Sequence, residues 1–241
     1  MRKIIACLLF CLLLACGGSN GNGSVIPVEV PPEPPASSTV LFLHMDGVNT
    51  GTIFTDSSAS NHTVIAVGYA QTLTTNFKVG TAAGYFPNDG YNEDSYLIVP
   101  DSEDWHFGTS DFTIKTWVYF NSLGRLNGIC GQYGDDYNYW AFAFSPHNFI
   151  FEAFKDGQAV ALYENTSWEP TINTWYHIKL VRSDANVSFY VDDVPQQFIT
   201  EVPISTKAFP DIAAVLEIGA SYNHIWLLDG YLDEFQISKG S

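Results

Sequence analysis

The stretch FTIKTWVYF, residues 112–120, decides the fold. Phe112, Ile114, Val118 and Phe120 fall on one side of an extended chain, and Thr113, Lys115, Trp117 and Tyr119 on the other. That period of two marks a strand with one face in a core and one at the surface. Similar short runs recur at 140–144, 149–154, 175–182, 187–191 and 214–218, separated by clusters of Gly, Pro, Asn and Asp. No stretch keeps a helical period with caps. Many short strands at regular spacing predict an antiparallel sandwich or barrel. One hairpin is explicit: residues 186–191, the pair Asp192-Asp193, then a return from Val194. A two-residue loop of this kind asks for positive φ, which Asp tolerates less readily than Gly.

Toward the N-terminus the character changes. MRKIIACLLFCLLLAC, residues 1–16, sets Arg2 and Lys3 ahead of an apolar run too short for a comfortable membrane span, the layout of a secretory signal. Leu13-Leu14-Ala15-Cys16 resembles the lipobox of bacterial lipoproteins. The resemblance implies a signal peptide over residues 1–15 and diacylation of Cys16, which anchors the protein to a membrane without spanning it. Gly17 stands where the enterobacterial pattern for inner-membrane retention has Asp, so the expected location is the outer membrane or cell surface. Cys16 and the Gly/Ser- then Pro-rich segment to residue 39 read as a linker, with reach up to ~60–70 Å at ~3.1 Å per extended residue.

Residues 40–241 are the size of one domain with a full core. The formal charge is −16, and loss of Arg2 and Lys3 takes it to −18, which argues against nucleic acid or anionic lipid as a partner. With Cys7 and Cys11 in the signal and Cys16 lipidated, Cys130 is left alone, expected as a buried thiol. The six His show no zinc-ligand spacing.

Leu43-His44-Met45-Asp46-Gly47, Phe54-Thr55-Asp56-Ser57-Ser58, Tyr96-Leu97-Ile98-Val99-Pro100, Asp111 to Val118, Thr174-Trp175-Tyr176-His177, Phe189-Tyr190-Val191-Asp192 and Gly230 to Phe235 follow one another along the chain. Together they resemble the laminin-G-like, concanavalin A-like lectin/glucanase superfamily. The resemblance implies an all-β fold, a jelly-roll β-sandwich of two antiparallel sheets.

Asp233 and Glu234 are adjacent in YLDEFQIS, and strict alternation sends them to opposite faces, Asp233 with Phe235 and Ile237. Glycoside hydrolysis needs two carboxylates flanking one bond, and the Glu-x-Asp-x-x-Glu run of the superfamily's glucanases is absent. A non-catalytic module is therefore expected. If residues 41–45 pair antiparallel with 232–238, Asp46 and Asp233 meet at one end, and two acids there call for a shared proton or a cation. Ca²⁺ suits them, and laminin-G-like relatives that bind calcium strengthen the expectation; capping of turns by the two carboxylates is the alternative.

Two segments combine aromatic rings with short polar groups: 132–140, holding Asp135, Asp136, Tyr137 and Tyr139, and 220–226, holding Tyr222 and Trp226. Sugars bind by stacking C–H faces on rings while carboxylates and amides take their hydroxyls. The expected function is carbohydrate recognition by a membrane-anchored, lectin-like module, with a glycan or a cell-surface protein as partner. The alternatives are a glycan hydrolase or lyase of the same superfamily and a protein-binding adhesion domain.

Overall fold

The computed structural model describes residues 38–88, 90, 94–145, 148–165, 168–197 and 199–240. The expected signal peptide, Cys16 and the expected linker as far as residue 37 lie outside the described residues, while Ser38 and Thr39, expected as the end of that linker, pair with Lys239 and Ser238 and so belong to the first strand.

The first sheet contains β1 (Ser38–Leu43), β3 (Gln71–Leu73), β4 (Ala83–Phe86), β6 (Phe112–Phe120), β11 (Trp175–Ser183), β12 (Asn186–Val191), β13 (Val194–Pro195) and β18 (Gly230–Lys239). Its order is β13-β12-β11-β6-β18-β4-β3, and β1 also pairs with β18. The second contains β2 (Ile65–Val67), β5 (Tyr96–Val99), β7 (Asn127–Asp135), β8 (Asn138–Phe144), β9 (Phe149–Lys155), β10 (Gln158–Asn165), β14 (Ile199–Val202) and β15 (Leu216–Ile218), in the order β14-β10-β9-β8-β7-β15-β5-β2. A two-stranded ribbon, β16 (Ala220–Ser221) and β17 (Trp226–Leu227), completes the strands. All pairings are antiparallel, and no helix occurs among the described residues. The expected jelly-roll sandwich is the observed one.

The alternation in 112–120 is realised residue by residue, with Phe112, Ile114, Thr116, Val118 and Phe120 buried and Thr113, Lys115, Trp117 and Tyr119 half-buried. Phe and Trp side chains fill the space between the sheets: Phe149 stacks on Phe189 at 3.7 Å and Phe120 meets Phe144 at 5.3 Å. Burial of such a ring stabilises by ~1.5–3 kcal/mol relative to exposure. Most polar groups drawn into this core are satisfied, as burial demands, Trp105 Nε1 being an exception. Trp140 donates Nε1–H to Gln132 Oε1 at 2.9 Å, and the Gln132 amide donates to the carbonyls of Ile212 and Ala214. Arg182, 1% exposed, donates to the carbonyls of Gly108, Asp184 and Lys207. Cys130 is buried, and burial pushes its thiol pKa well up.

The hairpin at Asp192-Asp193 takes φ of 49° and 63°, the left-handed pair that a two-residue loop requires. First and last strands pair as expected, Leu41 opposite Ile237 and Leu43 opposite Phe235. One edge of β18 is shared: Gly230 to Leu232 pair with β4, and Phe235 onward with β1. Between them the register slips and Glu234 sits at φ 52°, a β-bulge. This overturns the reading of strict alternation. Asp233 stands opposite Trp117 on the outer side of the sheet, not in the core with Phe235, because the bulge inserts one residue into the period.

Candidate functional site

The two aromatic segments, some ninety residues apart in the chain, meet on the outer face of the second sheet. The ribbon β16–β17 lies over β7, and the sequence permits this approach through glycines on both sides of Cys130. A Cβ on Gly128 would sit 2.3 Å from the Trp226 carbonyl oxygen, and one on Gly131 would sit 3.1 Å from Ser221 Cβ. The ribbon's turn, Tyr222-Asn223-His224, runs through three successive positive φ values of 54°, 57° and 48°. Non-Gly residues there cost on the order of 1–3 kcal/mol each unless their surroundings hold them. Two carboxylates do so. Buried Glu217 accepts the His224 backbone N–H at 3.1 Å and lies 3.4 Å from its Nδ1, while the His224 ring stacks on Tyr96. Burial pushes the Glu217 pKa up, and its bonds to His224 pull it back. Asp136 Oδ1 accepts from Tyr133 Oη at 2.6 Å and from Tyr222 Oη at 3.4 Å, tying the β7–β8 turn to the ribbon. That bond pushes the Tyr133 pKa up to about 12.

The result is a platform. Tyr222 stacks on Trp226 at 4.9 Å and meets the edges of Tyr133 and Tyr139 at 5.3 and 4.7 Å; all but Tyr139 are partly exposed. Tyr139, 8% exposed, lies beneath Tyr222 and stacks on Phe154, so it supports the platform and presents little surface of its own. Tyr137, 65% exposed, packs over the turn at Gly157. Asp135 holds the β7–β8 turn that carries Tyr137, accepting from the Tyr137 backbone N–H and the Asn138 amide. Beside the platform, Tyr139 hydrogen-bonds Glu152, whose pKa burial pushes up. Glu152 pairs with Leu162 and Glu164 with Ile150, which sets the two carboxylates diagonally on the same outer face.

Asp46, in the loop after β1, and Asp233, in β18, converge on one short segment. Asp233 Oδ2 accepts the N–H groups of Lys78 and Val79, both at 2.8 Å, and Asp46 Oδ1 accepts those of Thr81 at 2.6 Å and Ala82 at 3.0 Å. Asp233 Oδ1 is buried without a partner. Burial, with a smaller part from the neighbouring Glu234 charge, pushes the Asp233 pKa up to about 6, against the lowering by its bonds to backbone N–H groups, those of Val79 and Lys78 first. Glu234 instead pairs with His44 at 2.9 Å. Among the described residues no three His, Cys, Asp or Glu side chains cluster as a metal site would need.

The sequence profile described as the concanavalin A-like lectin/glucanases superfamily matches residues 88–241. The chain belongs to this superfamily. No curated protein sequence matches it. Among solved structures, the superfamily domain resembles domain 4 of AbnA, a GH43 extracellular arabinanase from Geobacillus stearothermophilus, solved in complex with arabinotriose; the TM-score is 0.62 at 15% identity, over 86% of this chain and 94% of that one. It also resembles the binding domain of Paraclostridial Mosquitocidal Protein 1, with TM-score 0.61 at 16% identity over 85% of this chain and 49% of that one. The botulinum neurotoxin serotype G binding domain gives TM-score 0.61 at 14% identity over 83% and 47%. The chain thus spans about half of each toxin domain. At these identities the likeness establishes fold, and the site of this lectin/glucanase-type domain is argued on its own residues.

Sequence reading placed Asp136, Tyr222 and Trp226 among the candidates and took in Tyr133 and His224 only as members of the two segments, but missed Glu152 and Glu217. The lone Glu217 inside the apolar run Val215-Leu216-Glu217-Ile218 was a legible signal, since a carboxylate buried in a strand needs a partner.

Proposed function

We propose that this protein is a non-catalytic glycan-binding module, lipid-anchored through Cys16 to the bacterial envelope at the outer membrane or cell surface. One observation carries the reading: two remote aromatic segments, each with short polar groups, are folded onto a single surface where Tyr133 and Tyr222 both bond the Asp136 carboxylate and Trp226 stacks on Tyr222. The rings offer stacking surface for sugar C–H faces, and Asp136 offers an acceptor for hydroxyls. Three left-handed residues in the Tyr222 turn add weight, because strain of that kind collects at binding sites. That an arabinanase domain of like fold was solved with arabinotriose supports a sugar as ligand. A glycan array on the full chain tests the reading: retention of one polysaccharide class without product supports it, and retention of none opposes it.

Ca²⁺ held by Asp46 and Asp233 belongs to the same reading. The unpartnered, buried Asp233 Oδ1 fits a cation, and with two carboxylates the remainder of the six to eight oxygens falls to backbone carbonyls and water. The ion would supply charge neutralisation between β18 and the segment carrying Lys78 to Ala82. The chain's own part is to hold that segment by four N–H bonds to the two carboxylates.

A second reading rests on Glu152 and Glu164. Two carboxylates on one face, one of raised pKa, are the elements of glycoside hydrolysis. New reducing ends from a retained polysaccharide, lost in Glu152→Gln, would favour it.

A further inference from the structure

The outer face of the first sheet carries a second cluster that the platform does not use. Gln236, Lys115, Lys179 and Tyr190 form one row across β18, β6, β11 and β12, and Trp117 and His177 stand opposite each other in the row beside it. Between the rows lies a depression of about 240 Å³, lined among others by Lys115, Trp117, His177, Glu234 and Gln236. This is below the ~300–1,000 Å³ of pockets for drug-sized ligands, and suits one sugar unit.

Its charge is out of character for the molecule. The chain holds 10 Lys and Arg against 26 Asp and Glu, yet Lys78, Lys115 and Lys179 gather here. Lys115 is directly opposite Lys179, an arrangement that destabilises a sheet. Among the described residues neither Lys78 nor Lys115 makes an ion pair; Lys78 Nζ lies 4.4 Å from the Trp117 ring centre. Lys179 pairs at 3.3 Å with Asp193, itself 77% exposed, and lies over Tyr190. Glu234, the carboxylate at the rim, is engaged by His44. Burial first, then Lys115 and Lys179, hold His177 below its ordinary pKa, with Asp193 and Asp192 opposing. The ring is thus a neutral hydrogen-bonding group at neutral pH.

Cations opposed to one another beside half-buried indole and imidazole rings are complementary to an anion on an apolar-faced body. We propose that this depression is a second, independent ligand site that takes an anionic sugar, its carboxylate or sulfate lying between Lys78, Lys115 and Lys179 and its ring against Trp117 and His177. Gln236, whose Nε2 donates to Thr39 and Ser238, offers Oε1 to the sugar hydroxyls, and the His177 ring stands beside it as a second hydrogen-bonding group.

The test is calorimetric titration of the full chain with oligogalacturonate, dextran sulfate and neutral dextran, repeated on Lys115→Gln/Lys179→Gln and on Trp226→Ala. Binding of either anionic glycan, absent for dextran, is expected. It should weaken at least tenfold in the double variant and as salt rises, and it should persist in Trp226→Ala, so that its fate is separate from that of the platform. Which of the two polymers binds assigns the anion as carboxylate or sulfate. In the double variant the relief of Lys115–Lys179 repulsion sets off the loss of the exposed Lys179–Asp193 pair, so it should melt near the native protein, and a melt of each variant separates a loss of binding from a loss of fold. Failure of both anionic polymers to bind, or undiminished binding by the double variant, overturns the proposal.

Discussion

Gly128 lies directly beneath Trp226, so close that a methyl group in place of its hydrogen would come within 2.3 Å of the Trp226 carbonyl oxygen and 2.5 Å of Ser221 N. Both contacts are backbone, and the ribbon can relieve them only by lifting from the sheet. Gly128→Ala is therefore expected to destabilise by the ~1–3 kcal/mol typical of overpacking, or about 2–12 °C in Tm for a domain of this size. Glycan affinity should fall with it. Gly124→Ala, where an added Cβ meets nothing within 4 Å, should leave both unchanged. Thermal melts of the two variants give the comparison.

Calcium makes a separate prediction. At ~100-fold excess over Kd, a ligand confined to the folded state stabilises by ~2.7 kcal/mol, about 5–10 °C here. Melting after chelation and after calcium addition should differ by that amount in the native protein. Asp46→Ala and Asp233→Asn should abolish the difference, Asp233→Asn while still accepting the N–H groups of Lys78 and Val79. No calcium shift in the native protein would leave the two carboxylates as turn caps alone.

Glu152 predicts a pH dependence. Burial raises its pKa in the folded state, more than its bond to Tyr139 lowers it. The folded protein then binds the Glu152 proton more tightly than the unfolded chain does. The resulting stabilisation is complete below the ordinary Glu value and is lost as pH rises through the raised one. Glu152→Gln removes the titration, so its stability relative to the native protein should improve from about pH 4 to pH 8. Denaturant midpoints across that range, with a constant or falling difference, would show that Glu152 is not the burdened group.

Glu217 and His224 hold the left-handed turn, and Glu217→Ala should release it. The loss of a hydrogen-bonded buried carboxylate partner is expected to destabilise by ~1–3 kcal/mol. Tyr222 should also become more accessible to nitration by tetranitromethane. Unchanged nitration would mean that the Asp136 bonds alone fix the turn.

How much of this could be read from the chain follows from which interactions are local. Residues 112–120 disclosed the sandwich because alternation is a local property of a strand, and the same alternation already put Lys115, Trp117 and Tyr119 on the solvent side. The pairing of first and last strands was legible through the superfamily resemblance. The bulge at Glu234 was not, since it arises where β18 changes partner from β4 to β1, a non-local event. It moved Asp233 from the expected core face to the outer one. In the candidate site the aromatic segments were visible separately. Their meeting depends on Gly128 and Gly131 lying under the ribbon, and on Glu217 and Asp136 fixing it. Two glycines beside Cys130 carry no sign, within the sequence, of what crosses over them.

The most direct test of the central claim is calorimetric titration of a polysaccharide retained on the glycan array into the native protein, Trp226→Ala, Tyr222→Ala and Tyr137→Ala. The account predicts saturable binding by the native protein without product. It predicts at least a tenfold loss, ~1.4 kcal/mol or more, for Trp226→Ala and Tyr222→Ala, and a smaller effect for Tyr137→Ala, whose ring packs away over Gly157. Native-like affinity in both Trp226→Ala and Tyr222→Ala would contradict it.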